Sequence, residues 1–114
     1  MANVYSVCQV NNYIKNMFAQ DYMLGHVYIK GEISNLKYHS SGHIYFTLKD
    51  DKSAISAVMF AGNRKGLKFK LEEGQSVIAL GSVEVYDRDG KYQLYAKSIE
   101  LAGQGDLKKQ FEEL

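Results

Sequence analysis

Hydrophobic positions follow a helical period near the start of the chain and a period of two thereafter. Val7, Val10, Ile14, Met17 and Phe18 recur at the spacing of one helix face. Ser6 followed by Gln9 has the form of a capping box, in which each side chain satisfies the other residue's backbone N–H. The pattern predicts a helix over about residues 7–19, with the chain leaving it near Gly25. From there Val27, Ile29, Gly31 and Ile33 alternate with Tyr28, Lys30, Glu32 and Ser34, as in a strand buried on one face. Gly31 within it predicts a bulge or tight bend, the device that lets a strand curl around a barrel.

Four more strands follow by the same reasoning. Ser40, Ser41 and Gly42 make a turn. Residues 43–49 then place Ile44, Phe46 and Leu48 on one face and His43, Tyr45 and Thr47 on the other. After a turn at Asp50, Asp51 and Lys52, residues 53–60 set Ile55, Ala57 and Met59 inward and Ser56, Val58 and Phe60 outward. "AGNRKGLKFKLEEGQ" is polar, basic and punctuated by glycine, a connector with a short helix at most. Residues 76–86 form a fourth strand containing Gly81. Asp87, Arg88, Asp89 and Gly90 make a hairpin turn, since Asp-Gly suits positive φ, and residues 91–101 form the fifth strand. A helix followed by five such strands predicts an all-β fold, a small closed barrel of the oligonucleotide/oligosaccharide-binding (OB) type. Its ligand face is strands 2 and 3 with the loops joining strands 1–2 and 4–5. An SH3-like barrel is the rival, but it does not require the basic connector after the third strand.

The tail breaks this pattern. Leu107, Phe111 and Leu114 fall at i, i+4 and i+7, the start of another helix that is marginal alone. The expected organisation is a nucleic-acid-binding domain over residues 1–105, with 106–114 opening a linker helix to a catalytic domain beyond this chain. Composition adds limits. Cys8 is a lone cysteine, which fits a reducing compartment. The start "MANVYSVCQV" lacks the basic and long apolar segments of a secretory signal. No uncharged run reaches the roughly 18 residues of a membrane span. A soluble cytoplasmic domain without membrane contact is expected. The net charge of +1 says little by itself, but Arg64, Lys65, Lys68 and Lys70 cluster in the connector without an acid among them. Such a cluster points to an anionic partner or to a solvated surface.

The chemistry concentrates in "NLKYHSSGHIYFTLKDD". His39 and His43 have the spacing of metal ligands on a helix, but Gly42 and the β-branched, aromatic flank oppose a helix. No nearby Cys, Asp or Glu completes a ligand set. Neither a metal nor another cofactor is expected in this domain. The paired carboxylates, Asp50 with Asp51 and Asp87 with Asp89, sit in turns that use aspartate for backbone reasons. With no nucleophile beside a base, the domain alone is expected to be non-catalytic. On a barrel map Lys37 falls in the first loop region, Arg88 and Lys91 in the last, and Tyr45 and Phe60 on the outward faces of strands 2 and 3. Exposed aromatics stack on bases while cations follow phosphates. The expected nucleic-acid-binding set is therefore Lys37, His39, Ser40, Ser41, Gly42, His43, Tyr45, Phe60, Arg64, Lys65, Arg88, Lys91 and Tyr92. Tyr28, Tyr38, Tyr86, Tyr92 and Tyr95 read as edge-of-core residues with wet hydroxyls, and of these Tyr92 alone is also a stacking candidate.

The segments "YSVCQVNNYIKNMF", "KGEISNLKYHSSGHIYFTLKDD", "ISAVMF" and "LKFKLEEGQSVIALGSVEVYDRDGKYQLYAKSIE" resemble the N-terminal domain of exodeoxyribonuclease VII large subunits, from about Tyr5 to Leu114. The resemblance implies an OB-fold that binds single-stranded DNA for an enzyme cleaving such DNA from its ends to nucleoside 5′-phosphates and short oligonucleotides. It implies a small-subunit partner held through a part of the protein absent from this chain, where the catalytic residues also lie. The motif positions carried over are Ser34, Asn35, His39, Ser40, Ser41, Gly42, His43, Tyr45, Phe46 and Phe60, with Phe46 in the core. Tyr38 and Ser56 stand where relatives often carry a basic residue, which thins the positive surface. The residues alone also suit an RNA- or tRNA-binding OB domain of another enzyme, or a protein-interaction barrel.

Overall fold

The computed structural model describes residues 3–102. The helix expected around Leu107, Phe111 and Leu114, and the domain limit at 105, lie outside the described residues. Helix α1 spans Val7–Gln20, and both halves of the capping box form: Ser6 Oγ accepts from Gln9 N at 3.1 Å, and Gln9 Oε1 accepts from Ser6 N at 2.8 Å. Strands β1 (Val27–Tyr38), β2 (Ile44–Lys49), β3 (Ala54–Met59), β4 (Ser76–Tyr86) and β5 (Lys91–Leu101) follow, with a 3-10 turn at Ala61–Gly66. They close into a five-stranded barrel in the order β1-β2-β3-β5-β4. No helix among the described residues is long and apolar enough to cross a membrane.

The alternation read from the sequence fills the interior. Ile33, Ile44, Phe46, Leu48, Ala57, Met59, Val77, Ala79, Val83, Leu94, Ala96 and Ile99 form one buried cluster, joined by Leu71 of the connector. Strand β1 is long because it serves two neighbours. Residues Val27 to Glu32 pair with β4, and Glu32 to Tyr38 pair with β2, so Glu32 faces a partner on each side. Gly31 sits at this changeover, where a Cβ would come 3.2 Å from the Leu48 Cβ and 3.3 Å from the Lys49 backbone N. Its missing side chain allows close approach. The register shift itself falls later, between Ser34 and Lys37, where Asn35 takes φ 51. A short polar side chain tolerates that left-handed conformation.

Two further expectations are corrected. The predicted apolar face of α1 does not all turn inward. Phe18 packs against the core, whereas Val7, Val10, Ile14 and Met17 remain exposed. The helix is also held by half-buried Asn11, whose Nδ2 donates to the Asp87 carbonyl at 3.0 Å. Val58, expected outward, does lie opposite the interior positions but is only 1% exposed, set between its register partners Tyr45 and Tyr95.

Candidate nucleic-acid interface

The covering of Val58 defines the site. Across the barrel, Lys37 of β1 pairs with Tyr45 of β2, Tyr45 with Val58 of β3, and Val58 with Tyr95 of β5. Directly paired residues put their side chains on the same face of a sheet. A row therefore forms with a cation at one side, two tyrosines, and a valine floor between them. Around it, the Phe60 ring lies 5.6 Å from Tyr95 and 5.0 Å from His43, and His39 meets Tyr45 edge-on at 6.0 Å. Tyr45 and Phe60 keep 40% and 41% of their surface exposed, enough to offer ring area to a ligand.

The β1–β2 loop is built from its own side chains. The turn closes through Gly42 N donating to the His39 carbonyl and His39 N donating to the His43 carbonyl, both at 2.9 Å. Gly42 has φ 96, and a Cβ there would stand 3.0 Å from the Ala61 Cβ, so both conformation and space require glycine. Ser41 N donates to His39 Nδ1 at 3.1 Å, and Ser41 Oγ accepts from His43 N at 3.3 Å. Ala61 N donates to His43 Nδ1 at 2.9 Å. With Nδ1 of each ring engaged by a backbone N–H, Nε2 is the nitrogen left to meet a ligand. Arg64 fastens the loop to the 3-10 turn, its Nη1 donating to the Gly42 carbonyl at 3.0 Å while its guanidinium stands 5.6 Å from the Tyr38 ring centre.

Lys37, His39, Ser40, Ser41, Gly42, His43, Tyr45, Phe60 and Arg64 are thus gathered at one end of β2 and β3, with Lys65 in the adjoining 3-10 turn. Arg88, Lys91 and Tyr92 are not brought there. Arg88 lies in the β4–β5 turn and Lys91 and Tyr92 at the start of β5, with Lys91 four residues, or about 13 Å, along the strand from Tyr95. Tyr92 shares the parity of inward Leu94 and lies against Phe18, at 6.1 Å between rings, yet stays 55% exposed near the start of the strand. The hairpin turn is bound to α1, with Lys15 Nζ 3.8 Å from Asp87 Oδ2. Asp50 is a turn former: its carboxylate accepts from Lys52 N and Ser53 N, each at 2.8 Å, and these N–H groups hold its pKa below the ordinary value.

Sequence reasoning read Tyr95 as an edge-of-core residue and did not single out Gln93, whose Nε2 donates to the Tyr95 hydroxyl at 2.8 Å. The parity of Tyr95 against Leu94 and Ala96 marked it as outward. What alternation could not give was the parallel pairing that sets β5 beside β3.

Residues 5–100 match the family model described as an OB-fold nucleic acid binding domain. The chain belongs to this family of OB-fold domains. The domain is 67% identical over 112 residues to the exodeoxyribonuclease 7 large subunit of Lachnoclostridium phytofermentans, covering 98% of this chain and 28% of that protein. It is 54% identical to the same-named subunit of Clostridium botulinum (strain Okra / Type B1), covering 96% of this chain and 27% of that protein. The chain therefore spans little more than a quarter of the length of these relatives, and the resemblance read in the sequence holds along nearly all of it. Among solved structures, the OB-fold domain resembles part of the Stn1-Ten1 complex of S. pombe, with TM-score 0.57, 17% identity, and coverage of 77% of this chain and 66% of that one. It also resembles asparaginyl-tRNA synthetase of Pyrococcus horikoshii, with TM-score 0.54, 19% identity, and coverage of 68% and 20%. These last two likenesses concern the fold.

Proposed function

We propose that the domain binds single-stranded DNA across the outer face of β2, β3 and β5, as the nucleic-acid grip of an exodeoxyribonuclease VII large subunit. In this reading it presents the strand to nuclease residues outside this chain, which release nucleoside 5′-phosphates and short oligonucleotides. The small subunit engages the longer protein outside this domain, and the assembly works in the cytoplasm. The observation that carries the reading is the row Lys37, Tyr45, Val58, Tyr95, bordered by Phe60 and the two histidines. Bases stack on Tyr45 and Phe60 without regard to sequence. The loop N–H groups, serine hydroxyls, Lys37 and Arg64 meet the phosphates. Arg88 and Lys91 stand where a strand running the length of the face would reach them.

Fluorescence anisotropy with a labelled oligodeoxynucleotide tests this. Binding should weaken as salt rises, because neutralised phosphates release their counterions. Tyr45→Ala or Phe60→Ala should each cost about 1–3 kcal/mol of affinity. Binding that ignores both salt and these changes would sink the proposal. A strong preference for a matched RNA would instead mark the face as a reader of the 2′-hydroxyl strand.

A further inference from the structure

The basic connector is not absorbed by the aromatic face, yet it is built as regularly. Beyond the 3-10 turn, Leu67 and Phe69 are half-buried against the core, Leu71 is fully buried, and Lys68 and Lys70 point to solvent. The Tyr38 hydroxyl donates to the Leu71 carbonyl at 2.6 Å, fixing this segment alongside the end of β1. Between them lies an open groove of about 700 Å³, lined by Tyr38, Arg64, Leu67, Lys68, Phe69 and Lys70. Three of the six lining residues are cations and none is acidic, on a chain whose charges otherwise nearly cancel. The nearest acids in sequence are engaged elsewhere or turned aside: Glu73 accepts from Leu36 N, and Glu72 is exposed outside the lining.

Arg64 joins this groove to the aromatic face. Its guanidinium holds the Gly42 carbonyl of the β1–β2 loop while standing over the Tyr38 ring inside the groove. A phosphodiester chain that leaves Tyr45 and Phe60 past the loop meets Arg64 next, then Lys68 and Lys70. We propose that this groove is a second segment of the binding site, taking the sugar-phosphate backbone of the same single strand beyond the stacked bases. The inference rests on the single-strand reading of the aromatic face and adds a path and a footprint to it. Recognition here is by charge: lysine ammonium groups act as point charges on phosphates, and Tyr38, already capped by Arg64, is a wall and not a base platform. The volume lies within the roughly 300–1,000 Å³ of sites that enclose small ligands, so the groove receives a short length of backbone.

The test is a length series of labelled oligothymidylates, from about 4 to about 16 nucleotides, the span of OB-fold site sizes. The chain as it stands is compared with the doubly substituted Lys68→Ala, Lys70→Ala form and with Tyr45→Ala. Both lysines are exposed, so the double variant retains the core. The expected result is that the double variant leaves short-oligomer affinity unchanged and removes the gain that longer oligomers bring. Its log–log salt slope on the long oligomer should be lower by about 1.4, at about 0.7 for each single-strand phosphate that a lysine no longer neutralises. Unchanged long-oligomer binding, or equal weakening at every length, overturns the groove. Tyr45→Ala separates the two readings. If it changes neither length while the lysine changes abolish long-oligomer binding, the aromatic face fails and the groove stands.

Discussion

At one end of the β5 outer surface, Tyr95 lies beside Phe60 and over Val58, with Lys37, His43 and Arg64 nearby. Towards the other end, Tyr92 lies against Phe18 of α1, with Lys91 and Arg88 nearby. Composition alone makes these two clusters equivalent, since each has aromatic rings and cations within a few residues. Their neighbours make them different. Tyr95, itself half-buried, lies on an outer sheet surface shared by three strands, whereas Tyr92 has the inward parity and, though 55% exposed, packs on Phe18 of the helix. Ring and charge form one continuous surface only where the pairing of strands sets them side by side; exposure alone does not make one.

The most disruptive way to break the comparison is through the backbone under Tyr95. Gly81 pairs with Ala96 while Leu80 pairs with Ser98, so β5 carries an extra residue there. A Cβ on Gly81 would fall 2.0 Å from the Tyr95 carbonyl oxygen. Gly81→Ala must push the strands apart and should cost on the order of 3 kcal/mol of stability by chemical denaturation. It should weaken DNA binding through Tyr95 as well. An unaltered denaturation midpoint would mean the strand shifts at no cost. A narrower contrast follows from the two tyrosines. Tyr95→Ala should weaken single-strand binding by about 1–3 kcal/mol, and Tyr92→Ala by clearly less, in anisotropy titrations run side by side. Equal losses would erase the distinction drawn between the two ends.

The smallest effect belongs to the Asp50 turn, which joins β2 to β3. Its folded pKa is lowered by the N–H groups of Lys52 and Ser53, so its carboxylate favours the folded chain above the ordinary value of 3.8. That contribution disappears as pH falls from 3.8 through the lower folded value. Asp50→Asn should therefore be slightly less stable than the parent at neutral pH and converge with it in acid. A gap that persists in acid would assign the effect to turn geometry instead of charge.

Much of the barrel was legible because alternation reports burial directly. Ile44, Phe46 and Leu48 turned inward as read, and the glycine-rich, basic connector gave only a short 3-10 turn. Alternation is silent about which strands become neighbours. That is why Val58 read simply as outward when Tyr45 and Tyr95 flank it, and why Tyr95 read as an edge-of-core residue and not as part of the aromatic row. The expected irregularity at Gly31 was displaced to Asn35 for a similar reason. Gly31 answers to the approach of Leu48 from another strand, a tertiary demand that its own segment does not encode. Helix periodicity gave α1 its limits but not its packing side, since Asn11 and Phe18 contact the barrel while the more apolar stripe does not.

The parallel junction between β3 and β5 pairs only Ala57 with Leu94 and Val58 with Tyr95, whereas every other junction in the ring is longer and antiparallel. It is the shortest seam in the barrel, the place where breathing would begin, and it runs directly beneath the two tyrosines. A ligand laid from Tyr45 to Tyr95 bridges that seam. By mass action, anything that binds the closed ring and not the parted one holds it shut by RT ln(1 + [L]/Kd). If the proposed surface takes the strand, it and the joint that closes the barrel are a single thermodynamic unit, and occupancy of one should be read out as slower amide exchange along the other.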